Sequence, residues 1–249
     1  MDAEAYKTMA ENERIHWWFC GRRAILLSIL KKINKNKVAR ALDIGSGTGG
    51  SMRDLAVFAQ EVRGLEPSAE AIVYLRSNYP DLNVIQGVFP EEMPDGQYNL
   101  ITMFDVLEHI KDDRAAIGAL SNLLAPGGMA VITVPAFPVL WSQHDEYLRH
   151  FRRYTISGLK TILAGNNNLS ISHIHYYNSL LFAPIFLIRL FHKIFKTNQR
   201  GDDKKIPNKF INRFLQAIFS LERFWLPNWS LPFGVSIICI IKKKQYDHD

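Results

Sequence analysis

Leu42-Asp43-Ile44-Gly45-Ser46-Gly47-Thr48-Gly49-Gly50 is the stretch that decides the fold of this chain. An apolar run, Val38 to Ile44, reads as a buried strand, breaks into glycines and continues as a helical stretch from Gly49 to Gln60. Glycines are needed where a backbone turns sharply and a ligand presses against it, because any Cβ would collide. Gly45, Gly47 and Gly50 satisfy the GxGxxG pattern of dinucleotide-binding turns, so on their own they do not separate one bound group from another. Asp43 adds a sign. A carboxylate two residues before the first glycine repels a pyrophosphate and attracts a cation.

The pattern downstream repeats the alternation. Glu61 to Leu65 reads as a second strand ending at Glu66-Pro67, and Ser68 caps a helix that reaches Asn78. Asn83 to Ile85 and Tyr98 to Phe104 are the third and fourth strands. Asp112 to Leu124 is a helix stopped by Ala125-Pro126-Gly127-Gly128, and Met129 to Val134 is the fifth strand. This order predicts a Rossmann-like, doubly wound α/β fold with helices on both faces of a mostly parallel sheet. Beyond an aromatic and charged loop, Ala136 to Tyr154, come a helix capped by Thr155 and an alternating strand, Leu169 to Tyr177. Gly234 to Lys242, apolar at nearly every position, reads as a last strand at the sheet centre. Residues 178–233 between these strands are too many for a loop and must carry helices of their own. The expected organisation is one domain over 1–249: an N-terminal helical lid (1–37), a core (38–177 and 234–244) and a helical insertion (178–233).

Composition narrows the class. With 47% hydrophobic and 22% charged residues, the chain has the balance of a globular protein rather than a disordered one. Cys20 and Cys239 form no CxxC pair, which argues against a disulfide scaffold or a cysteine zinc site and for a reducing compartment. Met1 to Arg14 is polar and acidic, unlike a signal peptide, and the longest apolar run, Leu180 to Ile188, is far short of the roughly 20 residues of a spanning helix. A cytoplasmic location, extending to the inner face of a membrane, is the expectation. The insertion holds nine basic residues against three acids, a surplus equal to the whole net charge of +6. A local contact with anions therefore fits better than a general nucleic-acid surface.

Taken together, Asp43 to Gly49, Glu66, Phe104-Asp105-Val106-Leu107-Glu108-His109 and Leu124-Ala125-Pro126-Gly127-Gly128 resemble the motifs of class I S-adenosylmethionine-dependent methyltransferases, in order and spacing from about Val38 to Val134. The closing antiparallel strand of a seven-stranded sheet fits as well. The resemblance implies S-adenosyl-L-methionine as cofactor, with Asp43, Gly45, Ser46 and Gly47 at its methionine end and Glu66, followed by Pro67, on the ribose. Phe104 and Asp105, at the end of strand four, are placed against it too. Many relatives carry an aspartate after strand three; this chain reads Gln86-Gly87-Val88-Phe89, leaving adenine to Gln86, Gly87 or backbone groups. A nicotinamide oxidoreductase matches the bare glycine pattern, and a non-catalytic scaffold with the same fold is a further reading.

For chemistry, His109 after strand four and His144 with Asp145 in the loop after strand five are candidate bases, since imidazole suits pH 7. Structural duty is the alternative for each. Trp141 stands beside that loop. In His150-Phe151-Arg152-Arg153-Tyr154, adjacent arginines beside aromatics, Arg152, Arg153 and Tyr154, either grip an acceptor carboxylate or phosphate or form a solvated turn. His16-Trp17-Trp18-Phe19-Cys20-Gly21-Arg22-Arg23 reads as a lid: Trp17 and Trp18 meet the acceptor and exclude water, Arg22 or Arg23 meets the donor carboxylate, or the tryptophans merely anchor a helix. No metal is expected, because no second ligand stands at a recognisable spacing. The acceptor is expected to be a small or lipid-linked molecule, the protein a monomer or homodimer. Amphipathic stretches at Ser179 to Lys196 and Lys209 to Trp225 suit peripheral membrane contact through 179–226, an acceptor lid or a dimer interface.

Overall fold

The computed structural model describes residues 3–195 and 206–245. Lys196, Arg200, Asp202, Asp203, Lys204 and Lys205 of the charged insertion lie outside the described residues. Two helices come first, α1 (Ala3–Ile15) and α2 (Trp17–Ile33), and the His16 side chain between them caps α2 by accepting from Trp18 N. Then β1 (Val38–Ile44), α3 (Gly50–Leu55), β2 (Ala59–Glu66), α4 (Ala69–Asn78), β3 (Asn83–Gln86) and β4 (Tyr98–Phe104) alternate. They are followed by α5 (Asp113–Leu123), β5 (Leu124–Pro135), the short α6 (Gln143–Tyr147), α7 (Ile156–Ala164) and β6 (Leu169–Tyr177). The insertion supplies α8 (Phe182–Phe195) and α9 (Lys209–Ser220), and β7 (Ser236–Lys243) closes the sheet.

The seven strands run β3-β2-β1-β4-β5-β7-β6. β1 to β5 pair in parallel, while β7 is antiparallel to both β5 and β6, so the expected fold class is observed. Side chains alternate across the sheet as a period of two demands. Leu42, Ile44, Ile132, Val134 and Cys239 join the core under α5 and α7, and Ala41, Val131, Ile238 and Ile240 join the core under α2 and α9. The sequence order departs from both sides of β1, toward β2 and toward β4. Ligands of open α/β sheets sit at the carboxyl ends of the strands beside such a switch point.

Two boundaries differ from expectation. The helix expected to reach Gln60 stops at Leu55, and Ala59 and Gln60 belong to β2, with Ala59 paired to Val38. Pairing of the first half of β1 outweighs the helical periodicity of Val57 and Phe58. β5 starts at Leu124 rather than Met129: Tyr98 pairs with Leu124 and Leu100 with Met129, and Ala125 to Gly128 bulge out of the ladder, with Gly127 at φ +72.

The insertion is fastened at both ends. Leu215, Ile218 and Phe219 of α9 pack into the α2 side of the core, and Asn212 accepts from Trp17 N (2.9 Å) and donates to Ile15 O (2.7 Å). The buried Glu222 carboxylate accepts from Asn178, Ser179 and Leu180 N–H at 2.8, 2.6 and 3.0 Å, which fixes the approach to α8. Pro184 falls in the first turn of α8 and so starts the helix without kinking it. Arg189 Nη1 donates to Leu140 O (2.7 Å), tying α8 to the loop after β5.

Candidate active site

The glycine turn leaves β1 with Gly45, Gly47 and Gly49 at φ +74, +52 and +92, a conformation that strains any other residue. Gly45 N and Ser46 N donate to Leu65 O (2.8 and 3.2 Å), which ties the turn to β2. A Cβ on Gly45 would run into Val106 Cγ2, in the loop after β4. Gly45→Ala is therefore expected to cost about 2 kcal/mol, from the φ strain and the collision together. A thermal melt checks this, and an unmoved midpoint would mean that the turn relaxes around a side chain.

Three carboxyl groups surround this turn, and burial pushes each of them above its ordinary range. Asp43, buried at the end of β1, is raised to about 6, although Ser51 Oγ and Thr102 Oγ1 (2.5 Å) both donate to it. Glu66, at the end of β2, accepts from Gly47 N (2.8 Å) and Ser68 N (3.0 Å), leaving further lone pairs for a ligand hydroxyl. Glu13 of α1 lies against Gly50. Carboxyls gathered around one loop favour a cationic neighbour over an anionic one.

A cleft of about 870 Å³, open to solvent, lies alongside. Gly45, Ser46, Ser51, Phe104, Glu13 and Arg22 are among its walls. Asp43 and Glu66 stand behind the turn rather than in the cleft wall. Arg22 is ion-paired with Asp105 and lies over the Trp18 ring, 4.7 Å from its centroid. Asp105, at φ +56, is held by Thr133: its N donates to Thr133 O (3.0 Å) and its carboxylate accepts from Thr133 Oγ1 (3.1 Å). Arg23 also lines the cleft, where it forks onto Asp54 (Nη2 to Oδ1, 2.5 Å), while Arg22 is the arginine paired with Asp105, just after β4. Trp17 is an anchor, edge-on to Phe219 at 6.1 Å and bonded to α9 through its backbone, in place of the expected acceptor contact. Gln86, exposed at the end of β3, donates to Pro67 O (3.4 Å), and Gly87 N donates to Glu66 O (3.1 Å).

The loop after β5 folds back onto the loop after β4. Phe151 N donates to Glu108 O (2.8 Å), and Tyr154 Oη donates to Leu107 O (3.3 Å) and Asp113 (3.2 Å). Arg152 is held by Asp113 (2.7 Å) and Lys111 O (2.5 Å), and the buried Arg153 by Asp145 (2.8 Å) and Ala136 O (3.1 Å). These bonds hold Arg152, Arg153 and Tyr154 against the protein and fasten the loop. Asp145 is fully buried and bonds to His150 Nδ1 (3.0 Å), Arg153 and Ser142, a set that anchors the loop. Burial raises its carboxyl, but the His150 hydrogen bond and the Arg153 charge outweigh that and hold it well below the ordinary range. Trp141 Nε1 donates to Glu146 (3.4 Å) on the rim of this loop, and His144 is half-buried on α6.

What results is a constellation that spacing alone does not reveal. His109 and His150 meet edge to face, 4.6 Å between ring centroids, and Glu108, His109 and His150 hold ligating atoms within 4.8 Å of one another. Residues 41 positions apart make a group of metal-binding type that no sequence spacing displays, against the expectation of no such set. Both Glu108 carboxyl oxygens are buried without a hydrogen-bond partner. Burial and the charge of Asp105 push that carboxyl well above its usual range. His109 goes the other way, lowered to about 4 by burial and by His150, and is neutral at pH 7.

With this geometry in view, residues 16–179 match the family model described as a methyltransferase domain. The chain belongs to the methyltransferase-domain family. A probable S-adenosylmethionine-dependent methyltransferase of Mycolicibacterium smegmatis is 27% identical over 95 residues, 38% of this chain and 37% of that one. The ubiquinone biosynthesis O-methyltransferase of Cronobacter sakazakii is 30% identical over 95 residues, 36% of this chain and 39% of that one. The matched region thus spans about two fifths of these curated relatives. Among solved structures, the putative methyltransferase bound to the Trm112 activator of Haloferax volcanii superposes with a TM-score of 0.63 at 15% identity, over 98% of this chain and 96% of that one.

Proposed function

We propose that this methyltransferase domain transfers a methyl group from S-adenosylmethionine to an oxygen or nitrogen of a small or lipid-linked acceptor. The observation that carries this reading is the trio of buried carboxyls, Asp43, Glu66 and Glu13, around the glycine turn, beside an open cleft. The donor, when bound, supplies a sulfonium methyl already activated for in-line displacement. The protein's part is then largely alignment, worth up to roughly 7–11 kcal/mol in favourable cases. Glu66 would accept ribose hydroxyls, Asp43 and Glu13 would balance the positive charge, and Phe104 and Trp18 would shield the cleft from water. Neutral His109 keeps a lone pair for an acceptor proton at pH 7, and His150, held by Asp145, stands beside it as the next proton holder. The known activity of the Cronobacter sakazakii relative, O-methylation in ubiquinone biosynthesis, favours an oxygen acceptor within this reading.

The test is isothermal titration of the protein with S-adenosylmethionine, S-adenosylhomocysteine and NADH across pH. Saturable binding of the two sulfur compounds near one equivalent is expected. Asp43 must be ionised to meet a cation, so affinity for S-adenosylmethionine should fall about tenfold per pH unit below about 6. The sign is that of a carboxyl raised on folding. Without ligand it counts against the fold as pH rises from the usual carboxylate range to about 6, and a bound cation relieves that cost. Binding of NADH in preference to both sulfur compounds would sink the proposal.

A further inference from the structure

The insertion carries two apolar faces with nothing packed on them among the described residues. On α8, Phe182, Ile185 and Phe186 turn inward, while Leu187, Ile188, Leu190, Phe191, Ile194 and Phe195 form a contiguous outer face, each 41–62% exposed. On α9 the inner stripe of Asn212, Leu215 and Phe219 meets α2, and the opposite stripe continues Phe210, Phe214, Leu221, Phe224 into the following turn. Phe210 is 86%, Phe214 65% and Phe224 66% exposed, values that a soluble surface seldom leaves clustered. Trp229, 56% exposed, lies just beyond.

Around the α9 stripe the charges of the described residues 206–233 that reach the surface have one sign. Lys209, Arg213 and Arg223 are exposed around the α9 stripe, and Glu222, the one acid in residues 206–233, is buried on three backbone N–H groups. The α8 outer face carries no acid at all. Aromatic and aliphatic side chains rimmed by cations match an anionic bilayer interface, where rings enter the acyl boundary and cations meet head groups. A second copy of this chain is disfavoured by symmetry. A two-fold contact through α9 would press Arg213 and Arg223 toward their own counterparts. An acceptor lid is disfavoured by direction, because the exposed stripe points away from α2, whose other residues wall the cleft. Spanning is excluded for these helices: no described helix is long and apolar enough to cross a membrane, and the 14 residues of α8 reach only about 21 Å.

We infer that the outer faces of α8 and α9 seat the protein in the interface of an anionic lipid bilayer. Docking uses none of the cofactor residues and stands whether or not the methyl-transfer reading does.

The experiment is co-sedimentation of the full chain with vesicles of phosphatidylcholine alone and of phosphatidylcholine with phosphatidylglycerol. Pelleting with the anionic vesicles, weakened by salt, is expected. Arg213→Gln should weaken binding about fivefold, the worth of one cation near such a surface. Phe214→Ser should weaken it about tenfold through lost apolar burial. Both side chains are solvent-exposed, and thermal melts matching the parent would establish that each variant folds. Recovery of the parent protein in the supernatant with both vesicle types would overturn the inference. So would a dimer in solution that Phe214→Ser converts to monomer, which would assign the stripe to a second copy.

Discussion

Arg153→Met is expected to lower the melting midpoint by roughly 10 °C, the consequence of leaving a buried charge without its main partner at a cost of about 3–5 kcal/mol. Asp145 has no solvent exposure and the Arg153 side chain only 3%. Methionine preserves bulk but removes both the Nε bond to Asp145 and the Nη1 bond to Ala136 O. His150 and Ser142 remain as donors to Asp145, which bounds the loss. Arg152→Met is the internal comparison. Its pair with Asp113 is 32% exposed on the arginine side, so less than about 1 kcal/mol should go. A midpoint for Arg153→Met no lower than that of Arg152→Met would refute the fastening role.

Glu66→Ala should weaken S-adenosylmethionine binding about a hundredfold, as expected when one or two hydrogen bonds to an ionised group, about 2–3 kcal/mol, are lost. The change also frees Gly47 N and Ser68 N, so part of the effect would come from a looser turn. Ser68→Ala separates the two. It removes the cap that accepts from Ala71 N (3.2 Å) and should cost about 1 kcal/mol of stability with little change in affinity. Titration of both variants reads this directly, and equal affinities for Glu66→Ala and the parent would contradict the ribose assignment.

Elements whose signals are local were legible in the chain. β1, β4 and β6 have the bounds that apolar runs and alternation indicate, and Ser68 and Thr155 cap the helices they precede. Boundaries set by pairing were not. Val57 and Phe58 continue a helical rhythm, and only the partnership of Val38 with Ala59 turns the chain into β2. The site divides the same way. The glycine turn, Asp43 and Glu66 form one local unit, so their convergence follows from strand, turn and helix. The His109–His150 meeting depends on how two loops lie over each other, which no spacing records. A partner of Asp145 likewise comes from further along the chain than its neighbours. His150, past the end of α6, returns to it through the His150 N to Asp145 O bond (2.9 Å).

The packing of α2 on α9 sets an order of events during biosynthesis. Trp17 finds Asn212 across 195 residues, and Gly21 is pressed against the ring of Phe219. A ribosome therefore releases the N-terminal helices long before their seat exists, and the sheet must assemble with one flank bare. Contacts of such long sequence separation slow folding and leave apolar surface uncovered meanwhile. Since Arg22 and Leu26 of α2 line the cleft, the cleft is finished only after Phe219 has emerged and docked. The nascent chain is thus a poor ligand binder until late in synthesis, and the same unseated helices are where a chaperone would take hold.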